Sequence, residues 1–160
     1  SFENRTRLVR EVVAAARAEC PAQLPLLIRL SATDWVEGGW NADETVELCR
    51  ILKGLGVDLV DVSSGGLVPY AQIPAGPGFQ TEFATRVRRE AGIPTAAVGL
   101  ITSAAQADHI VRTGQADMVL LGREMLRNPY WPTMAAKELG LAAAWPRQYL
   151  RAAPSGSTAR

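Results

Sequence analysis

The chain has 160 residues, 48% of them hydrophobic, with 17 Lys and Arg against 16 Asp and Glu and a formal net charge of +1. That is the composition of an ordinary globular domain, and a charge so balanced lacks the clustered basic excess that a nucleic-acid backbone or an anionic membrane surface attracts. Two cysteines and one histidine exclude a disulfide framework and a histidine-rich metal site, and they fit a reducing, cytoplasmic setting.

The longest nearly apolar runs, such as Met118 to Leu121, are a few residues long, far from the roughly 20 that cross a bilayer. The first residue is not Met, and no charged n-region or apolar h-region follows, so the chain is expected to begin inside a longer gene product. Ser1 to Ala18 reads as a helix whose apolar stripe is Phe2, Val9, Val12, Val13 and Ala16. Leu24 to Ser31 is short, almost wholly apolar and opened by proline, which predicts a buried strand. Asn41 with Glu44 outlines a capping box and starts a helix that turns Val46, Cys49 and Leu52 inward and stops at Gly54 or Gly56.

The pattern then repeats. Val57 to Ser63 is a second strand and Phe79 to Ala91 a second following helix, with the Gly76-Pro77-Gly78 segment before it read as a turn. Thr95 to Leu100 is a third strand, followed by a helix capped by Ser103 with Gln106, with Ala107, Ile110 and Val111 inward and an end at Gly114. Ala116 to Gly122 is a fourth strand, followed by a short turn at Arg123 to Arg127 and a helix from about Pro129 to Leu139. Residues 152–160 are small and polar and are expected to be a disordered tail.

A helix followed by four βα units calls for parallel strands with right-handed crossovers. Two architectures satisfy that order: a self-standing, doubly wound sheet of the flavodoxin type, or half of a (β/α)8 barrel, which takes roughly 250 residues and eight strands. A half-barrel leaves two open sheet edges, which invite a partner.

In either architecture functional groups gather at the carboxyl ends of the strands. Gly99 and Gly122 mark the last two ends, where glycine lets backbone N–H groups approach a phosphate and a helix start adds partial positive charge. Arg123 adds a guanidinium that forks onto phosphate oxygens; the plainer reading is a tight strand exit beside a solvated arginine. Arg29 interrupts an apolar strand, so it either pairs with a carboxylate such as Asp61 or faces a bound anion. Asp34, Trp35, Glu37 and Trp40 follow the first strand and either line a pocket or are packed polar loop. His109 lies within a helix and reads as scaffold, as do Cys20 and Cys49, none of them at a strand end. No P-loop, zincin, nucleophile-elbow or EF-hand pattern is present.

The segments SFENRTRLVREVV, IRLSATDW, VDVSSGG, PGFQTEFA, AVGLIT and LLGREMLRNPYW occur in one order from Ser1 to about Arg151. Together they resemble the Old Yellow Enzyme family of flavin oxidoreductases, most of all its thermophilic-like bacterial branch. The resemblance implies an α/β fold, a (β/α)8 TIM barrel of which residues 1–151 are the carboxyl-terminal half, strands 5 to 8. It implies FMN as cofactor, NADPH as electron donor and an enone-type substrate whose activated C=C bond is reduced. Arg29 then matches the arginine at the flavin pyrimidine edge, Gly122 and Arg123 the pair on the FMN phosphate, and Val98, Gly99 and Leu100 the adjoining phosphate loop. Arg151 matches an arginine that reaches a neighbouring subunit's active site, which implies a homo-oligomer. The proton donor and carbonyl-polarising residues come from the first four strands in this family, so the chain needs that missing half as a partner. The alternative is a non-catalytic half-barrel that binds FMN, another phosphate or a partner.

Overall fold

The computed structural model describes residues 1–159. Helix α1 (Phe2–Glu19) leads into β1 (Leu27–Ser31), α2 (Ala42–Gly54), β2 (Leu59–Ser63), α3 (Thr81–Ala91), β3 (Thr95–Val98), α4 (Ala104–Arg112) and β4 (Met118–Leu120). A five-residue helix α5 (Arg123–Arg127) and α6 (Trp131–Glu138) follow. The four strands form one parallel sheet in the order β1-β2-β3-β4. This sequential order never reverses, so the doubly wound alternative, which requires a switch point, is set aside.

The expected caps form. Asn41 Oδ1 accepts from the N–H groups of Asp43 and Glu44, and Asn41 Nδ2 donates to Glu44 Oε2 at 3.1 Å. Ser103 Oγ accepts from Gln106 N at 3.2 Å, while Gln106 Oε1 accepts from Thr102 N rather than from the cap itself.

The core lies between the helices and one face of the sheet. Val60 and Val62 of β2 and Ala97 of β3 meet Val46, Cys49 and Leu52 of α2 and Ala84 and Val87 of α3 there. Its buried hydroxyls bond to backbone: Thr45 Oγ1 donates to Ala32 O at 2.9 Å and Thr95 Oγ1 to Ala84 O at 3.2 Å.

The opposite face is open along its edge strands, where Arg29 and Met118 are exposed, whereas Ala96 of β3 between them is buried. β1 alternates between exposed and half-buried residues, with Leu27 51% exposed, so it is an edge strand covered on one side rather than the wholly buried strand expected. Period-2 alternation is hidden in that run because Leu27 and Ile28 are both apolar while they point to opposite faces.

Two helix faces also differ from expectation. The inward stripe of α1 runs through Phe2, Thr6, Val9 and Val13, which leaves Val12 exposed. In α4, Ala104, Ala107 and Ile110 are buried and Val111 is exposed, because one residue is a rotation of about 100°.

The expected tail is not featureless. A 3-10 turn spans Arg147–Ala152, and Thr158–Ala159 (β6) pairs in parallel with Ala144–Trp145 (β5). Ser157 N donates to Pro154 O at 3.1 Å, a local reversal that brings the backbone back with no need of apolar side chains. Arg160, the last residue of the expected tail, lies outside the described residues.

Candidate functional site

The carboxyl ends of β3 and β4 meet. Val98, Gly99, Leu100, Gly122 and Arg123 line one pocket of about 290 Å³, together with Thr102, Glu124 and Arg127. Five of the residues expected to hold a phosphate are thereby brought to one place from two separate strand ends.

The two glycines do different things. Gly99 has φ +117, and a Cβ there would lie 2.7 Å from Gln80 Nε2 and 2.9 Å from Phe79 Cε1, so the fold itself demands glycine. Leu100 follows with φ +50, a left-handed conformation that is uncommon for leucine. At Gly122 nothing lies within 4 Å of the Cβ position. Packing therefore does not explain that glycine, and its backbone faces open space.

The charges around the pocket are uneven. Arg127 Nη2 bonds Glu124 Oε2 at 2.7 Å, a pair that is close to neutral. Arg123 is exposed and has no carboxylate partner among the described residues, so it supplies the pocket's uncompensated positive charge. Because α5 has only five residues, its dipole adds little, contrary to the charge expected from a helix start. Sequence reading missed Arg127, although its spacing of four from Arg123 puts both on one helix face.

The loop from Val98 to Thr102 is pinned at both ends. Gln80 Nε2 donates to Val98 O at 2.9 Å and Gly78 N donates to Gly99 O at 3.0 Å. At the far end Thr102 N donates to Gln106 Oε1 and Trp131 Nε1 donates to Thr102 O at 3.4 Å. No signal in the sequence marked Gln80, since its partners are brought to it only by tertiary structure.

Arg29 and Arg151 are not among the residues lining this pocket. Arg29 sits on the open sheet face and forms an ion pair through Nε with Asp61 Oδ2, its register partner on β2, so the carboxylate alternative is realised. Asp61 is 14% exposed at its side chain and its Oδ1 is buried without a partner, so the pair is incompletely satisfied. Arg151 lies exposed in the 3-10 turn.

The loop after β1 is packed polar structure and also edges a second hollow. Asp34 Oδ2 accepts from Trp40 N at 2.9 Å, and Trp35 Nε1 donates to Ser64 Oγ at 2.9 Å. Asp34 and Trp40 line a hollow of about 390 Å³ with Arg5.

His109 is exposed on α4, and burial pushes the Cys49 thiol up to about 12, which keeps it protonated and inert. Among the described residues no group of three or more His, Cys, Asp or Glu is placed to hold a metal ion, and no helix is long and apolar enough to cross a membrane.

Residues 1–142 match the model of the NADH:flavin oxidoreductase / NADH oxidase family. The chain is 52% identical over 151 residues to an NADPH dehydrogenase of Geobacillus thermodenitrificans, covering 94% of this chain and 44% of that protein. It is 46% identical over 152 residues to an NADPH dehydrogenase of Halalkalibacterium halodurans, again with 95% and 44% covered. Among solved structures, a 2-naphthoyl-CoA reductase in complex with 2-naphthoyl-CoA superposes with a TM-score of 0.77 at 25% identity, over 86% of this chain and 22% of the reductase. The chain thus spans less than half the length of the curated relatives it matches.

Proposed function

The chain belongs to the NADH:flavin oxidoreductase / NADH oxidase family, and from that premise we propose that it is the carboxyl-terminal half of a (β/α)8 barrel that holds FMN by its phosphate. The observation that carries the reading is the convergence of Gly99, Gly122 and Arg123 on one pocket at the carboxyl edge of a parallel sheet. The residues fit a phosphate: the open space before Gly122 admits an oxygen close to the backbone, and Arg123 offers a guanidinium not spent on a carboxylate. Gly99 at φ +117 and Leu100 at φ +50 give their loop a preset left-handed shape, and a preset loop lowers the ordering cost of binding.

Arg29, which pairs with Asp61 and stays exposed on the sheet, is read as the cation at the pyrimidine edge of a flavin, where its charge favours a reduced, anionic ring. The chemistry such a flavin supplies is two-electron transfer, from NADPH and on to an activated C=C bond of an enone-type substrate. The chain's own part is to bind and orient the group and to bias its charge.

The rest of the barrel, supplied as further sequence or as a second polypeptide, covers the open sheet face and brings the proton donor and the groups that polarise the substrate carbonyl. Leu27 and Met118, 51% and 44% exposed on the two edge strands, are apolar surface of the kind such a partner buries. Arg151, exposed near the chain's end, is available to a neighbouring subunit of a homo-oligomer. The two free cysteines support a reducing cytoplasmic setting.

A second reading, a half-barrel that binds flavin or another phosphate without turnover, is favoured by one observation. The only histidine is exposed on α4, away from every strand end. The visible spectrum of the purified protein, followed by NADPH consumption with and without an enone, separates the two. Bound flavin with enone-dependent oxidation supports the reductase; bound flavin without it supports the binding module; no flavin under saturating FMN contradicts the reductase and a flavin-binding module alike.

A further inference from the structure

Gln80 occupies the N-cap position of α3 yet makes no capping bond. The residue is 4% exposed and its side chain is spent elsewhere. Oε1 accepts from Ser64 Oγ at 2.7 Å and from Ser63 Oγ at 3.4 Å, while Nε2 donates to Val98 O at 2.9 Å. Ser64 Oγ in turn accepts from Trp35 Nε1 at 2.9 Å. The direction of every bond is fixed, because the indole can only donate and the Val98 carbonyl can only accept. The amide is thus held one way round, and a chain of three hydrogen bonds runs from the loop after β1, through the end of β2, to the end of β3.

That chain ends where the pocket begins. Gly99 packs so closely on Gln80 that a Cβ would lie 2.7 Å from its Nε2, and Gly99 carries φ +117 with Leu100 at φ +50. A loop so strained keeps its shape only if its surroundings over-determine it. Trp35, itself at φ +60 and edge-on to Phe83 with ring centroids 5.4 Å apart, is a second strained residue held by the same relay.

We propose that Gln80 is a positioning residue for the phosphate pocket: its buried carboxamide, oriented by Ser64 and Trp35, sets the backbone of Val98 and Gly99 so that the pocket's N–H groups meet an anion. The proposal rests on the reading of that pocket as a phosphate site, and it goes further by assigning the pocket's geometry to a residue that does not line it. Exchange of Gln80 for a group of similar volume leaves the packing and removes the oriented bonds. On that reading the pocket takes the phosphate, so the effect is expected on the phosphate and not on the ring.

The test is fluorescence titration of the intact protein with FMN and with riboflavin, which differ only by the phosphate, in wild type, Gln80→Met, Gln80→Glu and Ser64→Ala. Thermal melting and circular dichroism confirm the fold of each. Wild type is expected to bind FMN more tightly than riboflavin. Gln80→Met and Gln80→Glu are expected to lose about 10- to 100-fold in FMN affinity, the cost of an unmade buried hydrogen bond, with riboflavin affinity within about twofold of wild type. Ser64→Ala, which removes the amide's orienting partner without touching Gln80, is expected to lose FMN affinity in the same direction and by less. It remains a test should the Gln80 variants not fold. A wild-type preference for FMN that survives unchanged in the variants overturns the positioning role alone. A wild type with no preference for FMN overturns the phosphate reading itself, and the role with it.

Discussion

Replacing Arg123 by alanine removes the guanidinium that faces the pocket without a carboxylate partner among the described residues. Two unit charges 4 Å apart interact by about 4 kcal/mol at an effective dielectric of about 20 and by about 1 kcal/mol in bulk water. Arg123 is exposed, so its contact with a phosphate falls toward the weaker end, about 1 to 3 kcal/mol. That corresponds to roughly 5- to 150-fold in dissociation constant. Arg127 compensates poorly, since Glu124 holds its guanidinium at 2.7 Å. The assay is titration with FMN at two ionic strengths, with riboflavin as the ligand that lacks the charge. The wild-type affinity for FMN should weaken as salt rises, and the Arg123→Ala affinity should weaken less steeply, because an exposed contact is screened. An Arg123→Ala protein that keeps wild-type FMN affinity, or that loses riboflavin affinity equally, refutes the assignment of this side chain to the phosphate.

Glu124→Gln removes the one acidic side chain lining the pocket and releases Arg127, so FMN affinity should rise by a few fold; a fall in the same titration contradicts the charge account of the pocket. Arg29→Ala and Asp61→Asn should move the flavin reduction potential in opposite directions, down when the cation is lost and up when its carboxylate is neutralised, as read by spectroelectrochemistry. Potentials unchanged within error would remove Arg29 from the flavin. Gly99→Ala should destabilise the protein by about 1 to 3 kcal/mol in denaturant unfolding, whereas Gly122→Ala should cost much less stability and more FMN affinity. Equal stability losses at the two positions would erase that distinction. Of the two free thiols, the half-buried Cys20 should react with a thiol reagent in the folded protein and Cys49, pushed up to about 12 by burial, should not; modification of Cys49 by mass spectrometry before unfolding would contradict its placement in the core.

Much of the frame was legible in residue order because each βα unit announces itself locally. Asn41 with Glu44 and Ser103 with Gln106 start their helices, Val46, Cys49 and Leu52 turn inward, and Gly99 and Gly122 mark two strand exits. What failed did so for geometric reasons. Val12 and Val111 are apolar but lie one residue off their helices' inward stripe, so composition alone pulled them into the core. The run at Leu27 and Ile28 hid an alternation that only the sheet's one-sided cover reveals. Gln80 was illegible because nothing about a glutamine before a helix tells that Ser64 and Val98 will arrive beside it from other units. Arg29 remained a choice between two partners until the parallel register set Asp61 opposite it.

A crystal structure of the intact protein grown with FMN tests the central claim most directly. The account predicts phosphate density within hydrogen-bonding distance of the backbone at Gly99 and Gly122 and of the Arg123 guanidinium, with the ring extending toward Arg29. Flavin bound elsewhere, or a phosphate that leaves Gly122 and Arg123 untouched, would contradict it.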